Sequence, residues 1–592
     1  MKKRTQKKSL INCFHKYSSL LFPHVLSLFF VIAFVLIVSV KVHGQTIPVL
    51  GFREKQLRLQ QLANDSVSSS FSNRPMNLKY YELHMRHPKL KGMWGKALPE
   101  TAHQYSFLKV GVYDPVFKNT YNTKIPYGEN NGAAWYGRGL TSEFHGGFYA
   151  TSKYVTITFR PDIVYQQNRS FKVPRFVPRD SNGKIEYGAE AIGFIIDHPF
   201  RFGPKPYWTF DWGESSLRLH YKNVAVGYST EPLWWGPGVR YALVMSNNAP
   251  GVKHLFIKSR SPVKLPLNIG KVEFNVIWGW PKDSKYFIQS KSPSRLKKLK
   301  NDTRNRFMSG MNIVFSPSIL PHLYLGLTRV FHQYIPKSGL HAADFLDLFQ
   351  AFQKKNRSKE IGNYGNDVKN QLASVYLRWV FPKSHAVIYG EYYKEDHNWD
   401  LRDLLMEPDH NRAYTIGFQK LILSNWIDFF KINLEINSLE PNLTEVVRPQ
   451  AYYYTHYLIT EGHTNEGQIL GAAIGPGSQS QFLGVDGYFD KGKIGLFVQR
   501  VVDNNLFYYE WNMKNIAPND PITYRDWWNH WVKLNIGVEG LYKTRHMLLF
   551  GKMVWDKNYN YGRYDIGQKR STKYDLLNMQ FQLGVQYFFG RY

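Results

Sequence analysis

The 592-residue chain reads as an all-β protein that closes into a membrane-spanning barrel, on three observations. From Tyr105 onward, segment after segment alternates apolar and polar side chains with period two, the pattern of strands with one apolar and one wet face. Aromatic residues make up 16% of the chain, yet its mean hydropathy is only −0.40; alternating strands produce that pairing. One long apolar run occurs, near the N-terminus, so any later membrane passage falls to strands. A closed barrel is the only fold besides a helix that pairs every backbone group within a bilayer.

Residues 1–44 read as a secretory signal. Lys2, Lys3, Arg4, Lys7, Lys8 and Lys16 form a basic leader, residues 25–40 are almost wholly apolar, and Val42-His43-Gly44 ends in the small residue that a signal peptidase prefers. Cleavage is expected between Gly44 and Gln45. The alternative is an uncleaved anchor, for which this run is short. The single cysteine, Cys13, precedes the run, so the mature chain holds no thiol for a disulfide or a metal site.

Residues 45–104 form an N-terminal segment. Leu57, Leu59 and Leu62, spaced among Arg53, Glu54, Lys55, Arg58 and Gln61, predict a helix over 52–63 that ends at Asn64-Asp65-Ser66. It is either a small surface helix or one at or inside the periplasmic mouth of the barrel.

Residues 105–592 supply the barrel. Val155, Ile157 and Phe159 alternate with Thr156, Thr158 and Arg160; Val272, Phe274, Val276 and Trp278 alternate with Glu273 and Asn275. Ala373, Val375, Leu377, Trp379 and Phe381 share a face, and the turn at Pro382 to His385 leads directly into the next strand. Phe430, Ile432, Leu434 and Ile436, and then Val532, Leu534, Ile536 and Val538, repeat the pattern. About sixteen to eighteen such segments are expected.

One stretch breaks this rhythm. Trp234-Trp235 runs into Gly236-Pro237-Gly238, which is turn chemistry, and a short apolar run, 241–245, ends in Ser246-Asn247-Asn248-Ala-Pro-Gly251. The spacing predicts strand, aromatic corner, strand, corner. These residues are expected to be architectural, holding adjacent strands at a barrel mouth or in the lumen.

At the other end, Phe581, Leu583, Val585, Tyr587 and Phe589 lie on one face with Gly584 among them. The pattern resembles the closing-strand signal of the outer-membrane barrel assembly machinery, with three residues beyond it. A long apolar edge at a terminus invites aggregation unless it closes a barrel. The expected location is therefore the cell outer membrane, as a monomer, with that machinery and outer-membrane lipid as partners.

Seven groups of residues, in order, resemble the Wzi family of capsule-assembly proteins. They are Ser70-Phe-Ser-Asn-Arg-Pro75; Pro126-Tyr-Gly-Glu-Asn-Asn-Gly132 with Trp135 and Gly137-Arg-Gly139; Trp212-Gly-Glu-Ser-Ser216; and the 234–238 corner with 246–251. The others are Asp396 with Asp400-Leu-Arg-Asp403 and Pro408-Asp-His410; Gly462-His-Thr-Asn-Glu-Gly-Gln468 with Gly475-Pro-Gly-Ser478; and Arg525-Asp-Trp-Trp-Asn-His-Trp531. Asn465-Glu466 departs from the Asn-Arg expected there. The resemblance implies an eighteen-stranded outer-membrane barrel, occluded by an N-terminal helical part and by extracellular loops, that holds capsular or exopolysaccharide at the cell.

Charge is compatible with that reading. Seven of the 76 basic residues and none of the 45 acidic ones precede Gln45, leaving 69 against 45, a formal +24. Such an excess favours polyanions, among them acidic capsular sugars, and export argues against nucleic acid. The basic run 295–300, with Arg304 and Arg306, reads as a solvated external loop.

No nucleophile elbow, phosphate loop or metalloprotease signature occurs, and no catalytic residue, metal or cofactor is expected. Glu143, Glu391, Glu395 and Asp396 could be cast as a glycosidase pair only if two carboxyls stood at a set separation. His254, His410, His463 and His530 read as hydrogen-bonding corner residues. The polysaccharide-binding candidates are Arg525, Trp527, Trp528, His530 and Trp531, which combine cationic and stacking chemistry within seven residues; a membrane-interface aromatic belt is the competing reading. A pore or transporter, and an outer-membrane enzyme acting on glycans or lipids, are the alternative functions.

Overall fold

A computed structural model describes residues 46–64, 67, 69–77, 90, 92–95, 101–105, 107–174, 177, 196–287, 302–349, 369–395, 400–440, 452–507, 530–563 and 572–589. The leader 1–44, Asp396, the basic run 295–300, Arg525, Trp527 and Trp528 lie outside them.

Eighteen antiparallel strands form a closed barrel. The first, Lys109–Asn122, pairs with the second, Gly139–Thr151, and also with the last, Leu576–Tyr587, where Gln580 to Gln586 face Asn122 to Val116. The closing strand read from the sequence is thus the strand that closes the seam. Connections alternate in length. Strands meet through tight turns at one rim, as between Thr151 and Val155, Tyr221 and Val224, or Phe489 and Gly492, and through long segments at the other, as from Ser438 to Gln479. Outer-membrane barrels keep short turns on the periplasmic side and long loops outside, so the tight-turn rim is the periplasmic mouth.

The pleat explains the composition. Along Ser216–Tyr221, Leu217, Leu219 and Tyr221 face outward at 49 to 66% exposure, while Ser216, Arg218 and His220 are buried inside. Apolar residues therefore meet lipid, and polar residues meet the barrel's contents. Pro161, which has no amide to donate, separates Val155–Phe159 from Asp162–Gln166.

The lumen is filled from both ends. At the periplasmic mouth, helix Phe52–Asn64 lies inside the barrel. Leu59 and Leu62 pack with Val387, Phe429, Tyr488 and Phe588 of the wall, and Gln56 and Gln60 donate to the carbonyls of Met93 and Trp94 at 2.7 and 2.8 Å. From the long-loop side, segments 231–251 and 452–478 descend and bury Leu243, Val244, Tyr454 and Ile469 against inward-facing Ile277, Met308, Val330 and Leu372.

Two sequence readings need correction. Residues 241–245 do not form a strand. They are completely enclosed, and loops and side chains satisfy their backbone: the Glu435 carboxylate accepts the amides of Val239, Arg240 and Tyr241, and Ser246 N donates to Leu470 O at 2.7 Å. Arg306 is not on a solvated loop. It is buried on strand Asp302–Pro317 and donates to the carbonyls of Gly462 and Thr464 and to Asp283, because this wall position faces the descending segment.

His463, on that segment, gives the interior a pH dependence. Its Nε2 stands 2.6 Å from Val244 O and its Nδ1 2.7 Å from Nε2 of His332, so one ring nitrogen donates and the other accepts only while the ring is neutral. Burial presses its pKa from 6.5 to about 4, aided by Arg306 and opposed by the Val244 bond. A base whose folded pKa is depressed contributes stability above its unfolded value and loses it as pH falls toward the folded one. The thermal unfolding midpoint should therefore fall as pH drops from 6.5 to 4, and His463→Gln should flatten that slope. An unchanged slope in the variant would assign the effect to other groups.

Candidate functional site

Three loop segments from distant parts of the chain are stitched together beneath the long-loop rim. Asn247 O accepts from Gly132 N at 2.8 Å, and Asn247 Nδ2 donates to Asn130 O. Ser246 Oγ donates to Gly471 O, Asn248 Nδ2 to Ile469 O, and Asn465 Nδ2 to Pro250 O. The Ser246-Asn247-Asn248 turn is thus the clasp between the 126–132 and 462–478 segments.

The Trp pair joins the same loop to the N-terminal segment. Trp234 and Trp235 have no exposed surface and form a two-residue strand with Arg74 and Asn73 of the N-terminal segment. Gly236 N donates to Ser72 O just beyond. Gly236 has a φ of 112°, and a Cβ there would stand 2.8 Å from a carboxylate oxygen of Glu391, so conformation and space both demand glycine before Pro237 and Gly238.

Between the clasp and the wall lies a cavity of about 270 Å³. Trp531 and Tyr561 meet edge to face there, 5.0 Å apart, and Lys533 Nζ lies 4.7 Å over the Trp531 ring while pairing with Asp503 at 2.6 Å. Trp531 Nε1 donates to Asn558 Oδ1 at 2.9 Å, and Asn558 Nδ2 donates to Asp556 at 2.7 Å. Trp135, Phe171 and Phe200 extend the aromatic lining from the opposite side. His198 is also at the lining, held neutral because burial pushes its pKa below the ordinary histidine value. Aromatic faces beside planar amides and a carboxylate suit a hydroxyl-rich ring, whose C–H face stacks while its hydroxyls bond at the edge.

Of the sequence candidates, Trp531 lines this cavity and His530 stands at its margin, bonded to Asn505 at 2.7 Å. Asn248, chosen for its turn chemistry, also lines it. Sequence reasoning gave no role to Asp503, Lys533, Asp556, Asn558 or Tyr561. Asp556 and Asn558 carried a weak signal: they are inward polar positions at the end of strand Met547–Tyr559, two apart on one face.

Glu129 forms the floor, accepting from Arg240 at 2.7 Å and from Tyr241 at 2.5 Å. Below it lie two adjoining cavities of about 320 and 350 Å³ between the N-terminal helix and the wall. Their carboxylates are all engaged. Glu54 meets Arg58 and Arg74, Glu143 meets Lys118, Asp162 meets His145, and Glu214 meets Arg160. Asp486 and Glu539 share Lys493, and Glu435 holds the backbone amides of the corner. Glu391 and Glu395 line none of these three cavities, so the structure does not bring them to Glu143 as a carboxylate pair. Among the described residues, no group of three or more His, Cys, Asp or Glu is placed to hold a metal ion.

Comparison with known proteins bears on this architecture. The family model described as capsule assembly protein Wzi matches residues 121–505. Among solved structures the chain is similar to Wzi of Escherichia coli, described as an outer membrane protein involved in group 1 capsule assembly and a carbohydrate-binding β-barrel. The TM-score is 0.55 at 12% identity, covering 90% of this chain and 98% of that one. Acinetobacter baumannii OccAB2 (TM-score 0.37, 9% identity, 81% and 98% covered) and a BenF-like porin from Pseudomonas fluorescens (0.37, 8%, 81% and 99%) also align. No curated protein sequence matches the chain. The family match spans well over half of the chain, including the 234–238 corner and the clasp but ending before Trp531, Lys533, Asp556, Asn558 and Tyr561, and the chain belongs to the Wzi family of capsule-assembly proteins.

Proposed function

We propose that this protein is a non-catalytic, monomeric outer-membrane barrel that holds a surface polysaccharide in the cavity lined by Trp531, and so retains capsule at the cell. The observation that carries the reading is an aromatic and amide-lined cavity beneath the long-loop rim of a barrel whose lumen is filled. A filled lumen favours binding over conduction, and cavity carboxylates already tied to lysine or amides favour binding over hydrolysis. The capsule-assembly family and the carbohydrate binding described for the Escherichia coli protein support the choice of ligand. The formal charge of +24 on the mature chain favours an acidic polymer at the surrounding surface. Trp234, Trp235 and the Gly-Pro-Gly turn act as architecture, being sealed away from any ligand. The barrel assembly machinery and outer-membrane lipid are its partners in biogenesis.

The test is Trp531→Ala. Closed barrels resist detergent and migrate faster unheated than boiled, and this variant should keep that shift. It should nonetheless bind purified polysaccharide at least about tenfold more weakly, the loss of one stacking contact, while cells shed capsule into the medium. The wild type should be nearly silent in planar bilayers. Full retention of polysaccharide by the variant, or steady conductance by the wild type, would remove this reading.

A further inference from the structure

We propose that the chamber between the N-terminal helix and the barrel wall is a second binding site, one that takes a small oxyanion of the phosphate or carboxylate type between Lys55 and Lys552. Every carboxylate lining the chamber already has a cation or a set of amides, as described above. Lys55 and Lys552 stand apart. Each lines both adjoining cavities, and among the described residues neither side chain makes an ion pair or a hydrogen bond.

The two lysines approach from opposite bodies. Lys55 projects from the helix into the chamber and is exposed to that space although the barrel encloses it; Lys552 projects from strand Met547–Tyr559 of the wall. Glu539 lies near both, but Lys493 engages its carboxylate. Asp486 and Glu54 also stand near Lys55, and Glu129 near Lys552, but Lys493, Arg58 with Arg74, and Arg240 hold those carboxylates. Lys493 beside Lys55, and Arg240 and Lys118 beside Lys552, add repulsion that a bound anion would relieve. Confinement within the barrel presses the Lys55 pKa below the ordinary lysine value, a strain on the charged form that the same anion would remove. An ammonium group is a compact charge with three donors, suited to a tetrahedral or planar oxyanion. Enclosure weakens solvent screening, so two such groups act at greater strength than on an open surface. The Glu129, Arg240 and Tyr241 cluster stands between this chamber and the outer cavity, which makes the two sites separable.

The experiment titrates inorganic phosphate, sulfate and a monomeric uronate into the mature chain in detergent, by calorimetry. Phosphate should bind, and the affinity should fall with added salt. Lys55→Gln and Lys552→Gln should each weaken it about tenfold, the loss of one charge-assisted bond, while Lys552→Arg retains it and Trp531→Ala leaves it unchanged. Uronate binding lost in the same two Gln variants would assign the site to a sugar carboxylate; binding of phosphate and sulfate alone would assign it to a free inorganic anion. The wild type should also melt at a higher temperature in phosphate than in chloride at equal ionic strength. Equal midpoints in the two salts overturn the proposal, as does phosphate binding that is undiminished in both Gln variants with heat-modifiable barrels.

Discussion

Trp235→Ala should remove about 3 to 5 kcal/mol of stability, the usual cost of emptying a fully buried aromatic site. The indole lies at the junction of three bodies. It pairs with Asn73 of the N-terminal segment, bridges to Met245 in its own loop, and packs against the barrel wall at Gly310, where a Cβ would stand 3.1 Å from its ring. The side chains clustered with it, among them Ile277, Met308 and Val330, are themselves buried and packed, so the cavity would persist. The variant should yield less heat-modifiable barrel, and the surviving barrel should unfold at lower temperature and expose the 231–251 segment to protease. Normal assembly and melting with weakened polysaccharide binding would instead make the pair a ligand platform.

Glu54→Gln should be as damaging, for an electrostatic reason. Glu54 is buried in the first turn of the helix and accepts from Arg74 at 2.7 Å, from Arg58 at 2.9 Å and from Leu50 N at 2.9 Å. Burial alone would raise its pKa, but Arg74 and Arg58 outweigh burial and hold it below the ordinary carboxylate value. Neutralising it leaves two guanidinium groups facing each other, with Arg74 sealed between the Trp234 ring at 4.4 Å and Gly238 O. Stranding a buried charge in this way costs about 3 to 5 kcal/mol. The measurement is the thermal midpoint with limited proteolysis of residues 46–77. The double variant Glu54→Gln, Arg74→Gln should recover part of the loss, since the coupling between contacting residues is not additive. A midpoint equal to the wild type would show that the pair is not what seats the helix.

The barrel was legible in the sequence because its rule is local. Period-two alternation needs only neighbours, so Val532 to Val538, the turn at Pro382 to His385 and the closing face at Phe581 to Tyr587 fall where the pattern puts them. The interior was less legible because it has no period. Residues 241–245 carry the apolar content of a strand, yet their hydrogen-bond partners include Glu435, Tyr454 and His463, about two hundred positions away. Arg306 looks like part of a basic loop until the segment opposite it is known to offer the carbonyls of Gly462 and Thr464. The cavity follows the same logic. Trp531 was identifiable from its own chemistry, but Asp503, Asp556 and Asn558 become neighbours only when strands separated by long loops are laid side by side. The N-terminal helix shows the intermediate case: its stripe of leucines announced a helix, while only the contacts of Leu59 and Leu62 with the wall put it inside the barrel.

The seam has a consequence for the order of events in biogenesis. Gln580 bonds Asn122 across 458 residues of chain, and no partial chain can make that contact. Closing so large a loop carries an entropy cost that the other strand pairings, each joining successive strands, do not share. The cylinder therefore shuts last, after every hairpin is in place. Residues 46–77 lie upstream of the first strand and finish inside the wall, so they must already be lodged there when the two edges meet, or pass afterwards through a mouth ringed by tight turns. On the first route the helix travels as cargo of a half-open sheet, and the sheet locks around it.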